Sequence, residues 1–194
     1  MKLIDRVKNI LLTPKPEWDV INAETALPGS LFTSYVLPLA LVAAGGQLLG
    51  GLALSRGASL TYVLITAVLA AAVSVIGYFV AIHVIDLLAP TFGSEKNLPK
   101  SAQLVAYSMT PSYVAGLLAF VPALGGVLGI AGWVYSIYIM FLGVGLLKKT
   151  PEDKKVVYLL VAWVVMIVIT MVISGVFGSM MYGATGYGSM RPLG

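Results

Sequence analysis

Few side chains inside the apolar stretches of this 194-residue chain could do chemistry. His83 and Asp86 stand three apart in AIHVIDLLAP, so a helix places both on one face. An ionisable group at bilayer depth is costly and marks a function unless its tip reaches the headgroups. Two readings follow. In one, the pair is a proton relay or half of a metal site. In the other, it lies near the cytoplasmic end of a long helix, where Asp86 orients or pairs with His83. The second is preferred, because no other apolar run supplies another histidine or carboxylate.

A second constellation is AYSMTPSYVAG, residues 106 to 116. Pro111 cannot donate to the Tyr107 carbonyl, so a kink is expected there, with Ser108 or Thr110 helping to satisfy the freed backbone. Tyr107 and Tyr113 add polar tips. Interrupted membrane helices can hold binding sites, yet proline kinks also occur in plain structural ones; the structural reading is preferred. Gly46 with Gly50, and Gly125 with Gly129, have the spacing that lets helix backbones approach closely. Gln47 beside the first pair can hydrogen-bond across helices, worth about 0.6–2 kcal/mol. The partner helix could belong to the same chain or to a second copy.

Enzyme chemistry is not expected. The sequence has no GxSxG, HExxH or phosphate-cradling glycine loop, one histidine and no cysteine. No cofactor is implied. Met180, Met181 and Met190 are soft donors for Cu(I), but no His or Cys accompanies them, so no metal is assigned.

The elements that must position these groups are membrane helices. The chain is 59% apolar and 10% charged, with a mean hydropathy of +0.95, far from a soluble globule. Its net charge of +4 comes from short basic clusters between apolar runs, which fits membrane topology and argues against nucleic acid. The predicted fold is all-α, a polytopic bundle of five spans at about 31–54, 60–88, 102–121, 124–147 and 156–178. The third and fourth spans are divided at VPALGG, residues 121 to 126, where Pro122 and two glycines suit a tight turn.

Lys and Arg set the orientation. Ten of them (Lys2, Arg6, Lys8, Lys15, Lys96, Lys100, Lys148, Lys149, Lys154 and Lys155) fall on one side of this topology and two, Arg56 and Arg191, on the other. The N-terminus is therefore expected in the cytoplasm and the C-terminus outside, in a multi-pass protein of the cell membrane. Residues 1–30 are read as an amphipathic interfacial helix with a Pro/Trp link, 31–178 as the five-span domain and 179–194 as a flexible outer tail. In TPKPEWDVI, Pro14 and Pro16 are expected to end the helix and stiffen an elbow. Trp18 would sit at headgroup level, with Glu17 and Asp19 in water. Lys148, Lys149, Lys154 and Lys155 are read as a membrane-surface cluster drawn to anionic lipid.

With these landmarks placed, the chain resembles the Yip domain family (Ypt-interacting protein), in its prokaryotic branch. The resemblance rests on ILLTPKPEWDVI, HVIDLLAPTFGSEKNLPKSAQLVAYSMTP, the PALGG turn and YSIYIMFLGVGLLKKTPEDKKVVYLLVAW, in that order. It implies five spans, a cytoplasmic N-terminus and a role in membrane trafficking with GTPase-type partners. It attaches no catalytic role to His83, Asp86, Tyr107 or Pro111. Eukaryotic relatives often carry a long N-terminal region where this chain has about 30 residues. The function expected is a non-enzymatic protein that organises membrane or protein partners, including a possible second copy of itself, through its basic cytoplasmic face. The competing expectation is a small transporter, channel or lipid-moving protein with a pathway near the second and third spans.

Overall fold

A computed structural model describes residues 2–54 and 60–184. Arg56, Arg191 and Met190, together with most of the expected tail, lie outside the described residues, as do the side chains of Met180 and Met181. Every regular element among the described residues is helical. Two short helices, α1 (Leu3–Leu12) and α2 (Pro14–Ala23), precede α3 (Pro28–Leu31), which passes through a π turn at Phe32–Val36 into α4 (Leu37–Leu54). Then follow α5 (Leu60–Leu88), α6 (Leu98–Ser108), α7 (Thr110–Leu118), α8 (Pro122–Lys148) and α9 (Lys155–Ala184).

The prolines explain most of the boundaries, though not as expected from the sequence. Pro14 is the first residue of α2 and Pro16 lies in its first turn, where a missing N–H leaves no helical bond unmade. The expected elbow shrinks to Thr13, whose N–H bonds to the Asn9 carbonyl at 2.8 Å, and TPKPEWDVI folds as a helical hairpin with α1. The π turn ends just before Pro38, whose ring would press on the Ser34 carbonyl in a regular α turn. The turn expected at residues 121 to 126 falls at 119–121 instead. Pro122 begins α8, so Gly125 and Gly126 are helical.

The expected third span is a broken helix. α6 and α7 meet at Met109, and the hydroxyl of Thr110 donates to the Tyr107 carbonyl at 2.7 Å, occupying the acceptor that Pro111 cannot reach. All eight residues from Ser101 to Ser108 are buried, so α6 is enclosed by its neighbours. A helix shielded on every side need not be apolar, which accounts for Lys100, Ser101 and Gln103 in it. Among the described residues, four stretches are long and apolar enough to cross a membrane: Pro28–Gly50, Ala72–Phe92, Leu124–Lys148 and Glu152–Val176. Their outer faces expose Leu41, Leu49, Val127, Ile130, Val164, Val168 and Val172, a belt suited to hydrocarbon.

The Gly46 and Gly50 pair finds its partner within the chain. A Cβ on Gly46 would lie 2.2 Å from the Leu117 carbonyl oxygen, and one on Gly50 would lie 2.2 Å from that of Ala119. α4 therefore rides directly on the backbone of α7. We expect Gly46→Ala to force the helices apart and cost about 1–3 kcal/mol in thermal unfolding. Gly45→Ala, which points into open space, should stay within about 0.5 kcal/mol of the parent.

Candidate functional site

Segments distant in sequence bring their charges together at one end of the bundle. The first cluster joins α5, α6 and α8. Lys148 Nζ lies 2.9 Å from Asp86 Oδ1, with side chains 0% and 7% exposed. The ammonium also donates to Ser101 Oγ at 2.7 Å and to the Asn97 carbonyl at 3.2 Å. Asp86 Oδ1 accepts from the Asn97 N–H at 2.7 Å and from Ser101 Oγ at 3.0 Å. A charge removed from water needs this density of hydrogen bonds to persist. Lys148 ends α8, where an ammonium also meets the negative end of the helix dipole.

Two sequence expectations are corrected here. Lys148 is interior, not part of a surface cluster, because Ser136, Met140 and Val144 form a buried row at spacing four that continues to it. Asp86 is not paired with His83. The histidine is exposed, with Nδ1 2.7 Å from the Phe79 carbonyl of its own helix, while Asp86 points inward along the row of Tyr78 and Ile82. His83→Ala should therefore change unfolding by no more than about 0.5 kcal/mol.

The second cluster ties α1 and α2 to the bundle. Arg6 is buried, with Nη1 2.5 Å from Glu17 Oε1 and Nη2 2.5 Å from Glu24 Oε1. Asn9 Nδ2 donates to Glu17 Oε2 at 2.9 Å, and the guanidinium carbon lies 5.2 Å from the centre of the Tyr107 ring. Burial alone would lower the Arg6 pKa; the hydrogen bond to Glu24 and the electrostatic influence of Tyr107, Glu24 and Glu17 outweigh it and hold it above its usual value. From α6, Lys100 Nζ donates to the Asn22 carbonyl at 2.7 Å, and Gln103 Nε2 donates to those of Ile21 and Glu24 at 3.1 Å.

Trp18 closes this cluster from the inside. It is 1% exposed, its Nε1–H donates to the Ile139 carbonyl at 3.1 Å, and its ring packs where Gly143 lacks a side chain. The expected surface position of Trp18 is thus corrected, because the indole is buried in protein, and Glu17 is likewise out of water; Asp19 is exposed. Tyr107 is the hub, its ring meeting Trp18 edge-on at 6.4 Å and Tyr35 at 4.7 Å. Pro111 is buried with its carbonyl beneath Gly132, and Gln47 lies in the α4–α7 seam beside Gly116. Neither joins the charged end. Arg6→Gln should expose α1 and α2 to trypsin while the remaining helices stay protected, a pattern readable by mass spectrometry of the fragments.

The other lysines remain near the surface. Lys149 pairs with Glu95 at 2.5 Å, both exposed, and Lys155 pairs with Glu152 at 2.5 Å. Lys2, Lys8, Lys15, Lys96 and Lys154 are exposed. Sequence reasoning missed Arg6, Glu17, Glu24, Asn97 and Ser101 as members of these clusters, although Arg6 and Ile10 share one buried face at spacing four.

An all-α bundle with an apolar outer belt and its ion pairs gathered at one end is a multi-pass integral membrane protein. The Yip1 domain model matches residues 8–173, and the chain belongs to that family. No curated protein and no solved structure matches it.

Proposed function

We propose that this is a non-enzymatic membrane organiser that crosses the cell membrane five times and presents α1, α2 and the two charged connections to the cytoplasm, with its C-terminus outside. The carrying observation is the one-ended charged layer. Asn97, at the start of α6, bonds to Lys148 in that layer, whereas Ala119, just past α7, meets Gly50 at the opposite end of α4. This supports α6 and α7 together as a fifth crossing, with α6 shielded from lipid by its neighbours.

The layer's inner charges are committed to one another, which makes it a rigid platform. Its outer charges, Lys2, Lys8, Lys96 and Lys154, are available to anionic lipid and to acidic partners, whether a GTPase-type protein or a second copy of the chain. Reversing Lys8, Lys96 and Lys154 to Glu tests this reading. Enrichment of labelled anionic lipid around the protein in mixed vesicles, and recovery of cross-linked partners, should fall by about tenfold with the fold retained. Unchanged enrichment and cross-linking would remove its support. Lys148 is unsuitable for this purpose, since its loss acts on the fold.

A second reading, a pathway for an ion, solute or lipid beside α6, has one specific observation in its favour. Ser108 Oγ and Gln103 Oε1 are buried there without a hydrogen-bonding partner among the described protein groups. Flux into liposomes that is lost in Pro111→Ala and Asp86→Asn would establish it; absence of flux in the parent would exclude it for the species tested.

A further inference from the structure

An open groove of about 450 Å³ lies between α2, the last turns of α8 and the start of α9. That volume falls in the range of small-molecule sites. Leu142, Leu146 and the edge of Trp18 give it an apolar wall. Lys15 and Asp19, at spacing four on α2, line one rim; Lys155 and Glu152 line the other. A Cβ on Gly145 would sit 2.2 Å from Lys155 Cε, so that glycine makes the room in which the lysine arm lies across the groove.

From this lining we infer that the groove binds the headgroup of a zwitterionic aminophospholipid, one phosphate ester carrying one primary ammonium. Two ammonium groups and two carboxylates give the lining no net charge, which matches a zwitterion and opposes a purely anionic headgroup. Lys155 is already held by Glu152 with its side chain 12% exposed, so it forms a fixed cation at the groove wall. Lys15 and Asp19 are exposed and form no ion pair among the described residues, which leaves both free to engage a ligand. The phosphate lies between Lys15 and Lys155. The ammonium donates to Asp19, with Glu152 as a second acceptor. The acyl chains run down past Leu142 and Leu146, the latter 37% exposed. A quaternary ammonium has no N–H to give Asp19, so a choline headgroup loses that bond.

The inference rests on the proposed placement of α1 and α2 at the membrane surface, and the test separates the two. Delipidated protein in detergent is titrated with short-chain phosphatidylethanolamine, phosphatidylcholine and phosphatidylglycerol, and bound lipid is counted by native mass spectrometry. One phosphatidylethanolamine per chain should be retained about tenfold more tightly than either competitor, the value of one charge-assisted hydrogen bond. Asp19→Asn should abolish that preference, and Lys15→Gln should weaken all three lipids alike; both residues are exposed, so neither change threatens the fold. Equal retention of the three lipids, or a preference that survives Asp19→Asn, would overturn the inference. In parallel, Lys15→Cys gives a unique thiol in a chain without cysteine, and it is labelled with a polarity-sensitive dye in nanodiscs. Dye emission from an interfacial environment with no lipid preference sinks the headgroup site alone. Fully aqueous emission sinks the placement of α2 and the headgroup site with it.

Discussion

Lys148→Ala is expected to destabilise the bundle by about 3–5 kcal/mol, because it leaves the Asp86 carboxylate buried without its counter-charge. The loss spreads beyond the pair. Ser101 and Asn97 lose an ammonium that they help to hold, so the α5–α6 connection loosens from the end of α8. Chemical unfolding in detergent measures the change. The variant Asp86→Leu/Lys148→Met tests the cause: with both charges gone, no group is stranded, and much of the stability should return. If Lys148→Ala unfolds like the parent, the pair is solvated and its burial is wrong.

Trp18→Ala carries the second large effect, about 3–5 kcal/mol for an aromatic side chain removed from a core. The indole is the contact by which α2 grips α8. Its loss opens a void beside Gly143 and takes the Nε1–H donor away from the Ile139 carbonyl. Hydrogen exchange should then show α1 and α2 opening before the rest of the bundle. The earlier expectation for Trp18 at headgroup level predicts a different outcome, loss of membrane contact with little loss of stability. The two accounts are therefore separable in one experiment.

The long helices were legible because runs of about 20 apolar residues have few alternatives in lipid. The Gly46 and Gly50 pair was legible as a close-packing surface, but only the structure supplies α7 as its partner. The charged end was misread for a physical reason. Charge counting along a chain treats every lysine in a connection as solvated, and cannot tell Lys148, the last residue of a buried row, from exposed Lys149 beside it. Trp18 was misread because prolines on either side of Lys15 suggest a break, whereas Pro14 at the first position of a helix favours one. The residue that admits the indole, Gly143, lies 125 positions away, and nothing local links them. Asn97 and Ser101 were invisible for the same reason: a polar residue reads as a connection until its partner is in place.

The central claim is that α1, α2 and both charged connections share one side of the membrane while α6 and α7 cross it. Because the chain has no cysteine, single substitutions K15C, K96C, K154C and S179C can each be probed with a membrane-impermeant thiol reagent in oriented vesicles. The account predicts that K15C, K96C and K154C react from the cytoplasmic side and S179C from the other. Reaction of K96C and K154C from opposite sides would contradict it, since α6 and α7 would then enter the membrane and return without crossing.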